Sequence, residues 1–125
     1  MAQLQLSALA LAAILVGCSK PTYACFGISD SEAVRTAQRQ FDHLIERSSA
    51  GDAQKFRPLI PSMIQRDPYS RGEDGAVRVL FSDPKRGVAA GAAYVEIFED
   101  CDIQWRQTAS VEQGVNGGFP WRRLR

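Results

Sequence analysis

Between Ala92 and Gln107 apolar side chains fall on alternate positions, a pattern that leaves few folds open. Ala93, Val95, Ile97, Cys101, Ile103 and Trp105 share one parity, broken only by Glu99. Tyr94, Glu96, Phe98, Asp100, Asp102 and Arg106 share the other. Successive side chains of a strand point to opposite faces, so one face is set for burial, and Cys101 is expected on it. The run exceeds the usual strand length of about 5–6 residues, which predicts a bulge or bend near Glu99 and Asp100. Ala76 to Phe81 repeats the alternation with Val77, Val79 and Phe81, and Ser82-Asp83-Pro84-Lys85-Arg86-Gly87 reads as a turn. Thr108 to Val115 reads as a further strand, Asn116-Gly117-Gly118 as a turn, and Phe119 to Leu124 as a last strand or tail.

Upstream of Gly75 the period is helical. Ser29 and Glu32 stand in capping-box relation, and Val34, Ala37, Phe41, Leu44 and Ser48 follow at spacings of three and four. Arg35, Arg39, Asp42, Glu46 and Arg47 form the opposite, solvated face. Ala50-Gly51-Asp52 ends this helix, and Asp52 to Phe56 starts a short second one that Pro58 disturbs. Pro61 suits the first turn of a third at Ser62 to Gln65, and Asp67 to Gly75 reads as a polar loop. Helices first and antiparallel strands after imply an α+β domain over residues 29–125. One long helix plus short helical turns would pack on an antiparallel sheet of about four strands. The chain has 125 residues, 45% of them apolar, and a net charge of +1. That composition excludes a disordered chain, and so small a net charge leaves no expectation of nucleic-acid binding.

The N-terminal segment differs in character. Leu9 to Val16 is an uninterrupted apolar run, too short for a membrane-spanning helix of about 20 residues and suited to an export signal. Leu15-Val16-Gly17-Cys18 resembles the lipobox of bacterial lipoproteins: an aliphatic residue, a small-to-medium one, Gly or Ala, then Cys. The resemblance implies a lipoprotein signal peptide at residues 1–17, palmitate-type acylation with lipidation at Cys18, and a lipidated tether over residues 18–28. It implies an envelope protein anchored in the outer membrane and facing the periplasm, because Ser19 differs from the Asp that often marks inner-membrane retention. In one respect the segment departs from the pattern: no Lys or Arg precedes the apolar run. Two alternatives stay open. One is a plain secretory signal cut after Thr22-Tyr23-Ala24, giving a soluble periplasmic or secreted protein; the other is a start upstream of Met1.

With Cys18 consumed by lipid, Cys25 and Cys101 remain as an even pair in a compartment that permits disulfides. A bond between them would tie the N-terminal tether to the back half of the domain. Two buried free thiols are the alternative.

Phe41, Leu44, Ile45, Gly51-Asp52 and the apolar Phe56, Leu59 and Ile60 form an arrangement similar to the cystatin-like and NTF2-like α+β folds. This resemblance implies a second functional reading, a small ligand-binding protein or enzyme whose pocket uses His43 and acidic residues. The inventory for chemistry is otherwise thin. His43 is the only histidine, and a surface position on the helix is expected for it. No catalytic residue, metal ligand or cofactor is assigned, and an enzyme is not expected. Glu96, Glu99, Asp100 and Asp102 form an acidic cluster, read as a solvated sheet face paired with arginines rather than a cation site. Trp121, Arg122 and Arg123 are the candidate partner-binding residues, combining a large apolar surface with fixed charge. A final edge strand whose arginines pair with the acidic cluster explains them equally well. The function expected is a lipid-anchored envelope protein acting by binding, as an accessory subunit, inhibitor or immunity-type partner of another envelope protein.

Overall fold

The computed structural model describes residues 25–72, 74–87, 93–107 and 120–124. The Cys18 motif, the strand expected over Thr108 to Val115 and the turn at Asn116-Gly117-Gly118 lie outside them. Two helices, α1 (Asp30–Arg47) and α2 (Ala50–Phe56), precede five strands. These are β1 (Ile60–Arg71), β2 (Asp74–Ser82), β3 (Ala93–Phe98), β4 (Ile103–Gln107) and β5 (Arg122–Arg123). They form one antiparallel sheet in the order β4-β3-β2-β1-β5, so a four-strand meander gains a fifth strand at its β1 edge. The fold is α+β.

Helix α1 begins where the capping residues placed it. The Ser29 hydroxyl accepts the Glu32 N–H at 3.2 Å, and Asp30 and Glu32 complement the positive end of the helix dipole. Ala33, Ala37 and Phe41 are buried at four-residue spacing, while Val34, Leu44 and Ile45 flank them half-buried. Two alanines let the helix approach the sheet, and Phe41 then stacks on Phe81 of β2 with ring centroids 4.2 Å apart. Phe56 of α2 packs edge-on against both Phe41 and Trp105. Helix α2 starts at Ala50, earlier than the sequence suggested, because the Ser49 hydroxyl rather than Asp52 supplies the cap and accepts the Asp52 N–H at 3.3 Å.

The third helix does not form. Ile60–Arg71 is strand β1, paired with β2 from Ile60 opposite Ser82 to Arg71 opposite Asp74. Pro61 and Pro68 both sit at register shifts in that ladder, where a missing N–H is tolerated. The expected polar loop is therefore mostly strand, reversing at a hairpin tip where Gly72 adopts φ +66°.

The bend foreseen near Glu99 is a complete reversal. Glu99-Asp100-Cys101 forms a three-residue loop closed by Phe98 N–H donating to the Asp102 carbonyl at 2.9 Å, with Cys101 at φ 67°. Val95 lies opposite Trp105 and Ile97 opposite Ile103, so both strands turn their apolar parity toward the helices. Cys101 does not face that core, contrary to its parity; it is an exposed turn residue. Its sulfur is bonded to Cys25, with Cα atoms 5.3 Å apart. Two further contacts fix the segment before α1. Arg66 donates to the Phe26 carbonyl at 2.7 Å and the Ile28 carbonyl at 2.6 Å. Phe26 lies so close over Gly75 that a Cβ there would stand 2.7 Å from its ring.

Candidate functional site

Strand β5 exists because the chain returns to the outer edge of β1. Arg123 lies opposite Met63, Arg122 opposite Ile64, and the Leu124 N–H donates to the Ser62 carbonyl at 3.0 Å. Arg122 reaches the helix side of the sheet, 2.8 Å from Asp30, whose other oxygen receives Arg66 at 3.0 Å. Trp121 goes to the opposite side, edge-on to Tyr94 at 6.2 Å, with its indole N–H buried and unpartnered among the described residues. The three candidate binding residues thus divide between two faces. Arg122 pairs with Asp30 and not with the acidic cluster.

A groove of about 1160 Å³ runs between α1 and this edge. Its apolar lining is Val34, Ile60, Pro61 and Leu124. Four arginines, Arg35, Arg39, Arg122 and Arg123, also line it, against one acid, Asp30. The hydrogen bond from Arg66, and after it that from Arg122, hold the Asp30 carboxyl below its ordinary pKa, against the opposing effect of burial. A carboxyl depressed in the folded state contributes stability that is fully present above the unfolded value and lost as pH falls through the folded one. Asp30→Asn is therefore expected to lower stability modestly near neutrality, with the difference from the wild type shrinking as pH falls through the acid range. Urea unfolding of both proteins across the acid range measures this; parallel curves would show that the clamp contributes nothing.

The sheet face turned away from the helices carries a charged network. Arg78 donates to Glu96 at 2.9 Å, Gln65 at 2.7 Å, Asp67 at 3.2 Å and Ser70 at 2.7 Å. Arg106 donates to the second Glu96 oxygen at 2.7 Å. Glu96 is buried, not solvated as expected, because two guanidinium groups satisfy both its oxygens. Asp100 and Asp102 lie in and beside the hairpin loop rather than on a strand face, paired with Arg71 at 3.6 and 2.6 Å. Arg71 also lies over the Phe98 ring, 3.5 Å from its centroid. Glu96 is drawn to Arg78 and Arg106 and the two loop aspartates to Arg71, and the described residues hold no group of three or more His, Cys, Asp or Glu side chains that could bind a metal. Burial, with Glu96 nearby, raises the Tyr94 pKa. His43 is exposed on α1, 3.6 Å from Glu46, and lies outside the groove.

Sequence reasoning named Arg122 and Arg123 and expected arginines beside Glu96, but missed the rest of the groove and Arg78 as the centre of a buried network. The one available signal was Arg78 itself, a charge placed between Val77 and Val79 in an apolar strand. No described helix is long and apolar enough to cross a membrane. Neither a protein-family model, nor a curated protein, nor a solved structure matches the chain, so its site is defined by its own geometry.

Proposed function

We propose that this is a lipid-anchored cell-envelope protein that acts by binding, with the groove between α1 and β5 as its contact surface. The observation that carries this is the use of the three cysteines. Cys25 and Cys101 are joined to each other, and the third cysteine of the sequence, Cys18, ends the lipobox-like Leu15-Val16-Gly17-Cys18. A disulfide suits export to an oxidising compartment, and the remaining thiol occupies the position that acylation requires. Under this reading the free tether is short. Cys25 is held to the domain, and the residues from Cys18 to Cys25 span at most about 25 Å when extended. The domain therefore sits close to the outer-membrane surface, where an apolar, arginine-lined groove meets envelope components directly. The reading built on His43 has less support, because that side chain lies exposed on α1 beside Glu46.

Separation of cell membranes on a density gradient, followed by partition into a cloud-point detergent, tests the anchor. The wild-type chain is expected with the outer membrane and in the detergent phase. Cys18→Ala is expected to leave that phase. Equal distribution of the two proteins would overturn the proposal.

A further inference from the structure

We propose that the groove binds an anionic lipid, with the acyl chain along its apolar lining and the phosphate or carboxylate held by its arginines. Ile60 is 49% exposed, one of two large apolar side chains so exposed among the described residues, and it opens onto this groove. Val34, Pro61 and Leu124 extend the apolar surface around it. The charge is as uneven as the hydrophobicity. Four of the lining residues are arginines and one is an aspartate, in a chain whose net charge is only +1. Asp30 is already engaged by Arg66 and Arg122. Arg35 and Arg39, one helical turn apart, make no ion pair with any described residue. At that spacing two guanidinium groups reach the same side of the helix, and each offers the planar fork that suits phosphate and carboxylate oxygens.

An acidic peptide shares the charge but not the fit. Its own N–H and C=O groups would need partners along the apolar lining. There α1 uses its backbone internally, Pro61 has no N–H, and β5 is two residues long. A hydrocarbon chain makes no such demand. The inference rests on the groove being a binding surface and does not depend on the anchor at Cys18.

Photolabelling of the purified full chain tests it. One arm uses a diazirine fatty acid and the other a diazirine phosphatidylglycerol in vesicles, with adducts mapped by peptide mass spectrometry. Adducts are expected on the peptides containing Val34 and Ile60, and reduced at least about fivefold by Arg35→Glu combined with Arg39→Glu. Ile60→Asp should lower them as well, and thermal melts show whether these surface variants remain folded. Labelling in the first arm alone identifies a free fatty acid, and labelling in the vesicle arm a membrane lipid; either supports the proposal. Equal labelling by a diazirine fatty alcohol, indifferent to the charge reversals, would overturn it, as would adducts confined to other peptides. Protection of the Val34 and Ile60 peptides from hydroxyl radicals by a glutamate-rich peptide, without lipid labelling, would reject the lipid and keep the groove as a binding surface. Failure of both probes would reject both.

Discussion

Arg78→Met is expected to lower the unfolding free energy by about 3–5 kcal/mol. The side chain of Arg78 is 13% exposed, and those of Glu96 and Asp67 are 5% and 9% exposed. Water cannot replace the guanidinium there. Methionine preserves much of the volume and removes all the donors, so Asp67 loses its ion pair and Glu96 keeps only Arg106 and a 3.5 Å contact with the Ser70 hydroxyl. Desolvation of carboxylates left in that state dominates the cost, rather than the attraction lost. The distinction can be measured. Arg78→Met combined with Glu96→Leu and Asp67→Leu removes charges and countercharges together and should recover much of the loss. Arg78→Lys should fall between, because one ammonium cannot reproduce the fork that reaches Glu96, Gln65, Asp67 and Ser70. Urea titration with an unchanged m-value gives these differences directly. A loss below about 1 kcal/mol for Arg78→Met would mean that the network is effectively hydrated.

Loss of the Cys25–Cys101 bond, by Cys25→Ala with Cys101→Ala, is expected to cost about 2–5 kcal/mol. The bridge spans a sequence separation of 76, so its removal frees a large part of the unfolded chain. It also frees the segment leading into α1, which then depends on Arg66 holding the Phe26 and Ile28 carbonyls and on Phe26 packing over Gly75. The wild type in reductant should approach the double variant in stability. Adding Arg66→Ala to that variant should cost more than adding it to the wild type, because the two devices restrain one segment. Strict additivity would show that they act independently.

Much of the fold could be read along the chain where one face is buried and the other is wet. Helix α1 follows from Ser29, Glu32 and the Ala37–Phe41 spacing, and β2 and β3 follow from Val77, Val79, Phe81, Val95 and Ile97. Strand β1 could not be read in this way. Pro61 suggested a helix through Ser62 to Gln65, and Asp67 to Gly75 read as a polar loop, which misplaced Gln65 and Asp67. Both are buried, because Arg78, distant in sequence, supplies their partners. Cys101 shows a different limit. Its parity placed it in the core, but parity holds only within a strand, and the reversal at Glu99-Asp100-Cys101 breaks it. The pairing with Cys25 was nonetheless legible from the count of cysteines. The groove was partly legible. Arg122 and Arg123 attracted notice by composition, while Arg35 and Arg39 looked like an ordinary solvated helix face. They become one site only when β5 pairs with β1, a contact with no local signature.

The central claim, that Cys18 anchors a disulfide-stapled binding domain in the envelope, is tested most directly by the intact mass of the protein extracted from cell membranes. A chain beginning at Cys18, carrying a thioether-linked diacylglycerol and lacking the two protons given up by Cys25 and Cys101, is the mass expected. An unlipidated chain beginning at Cys25, after cleavage behind Ala24, would contradict it.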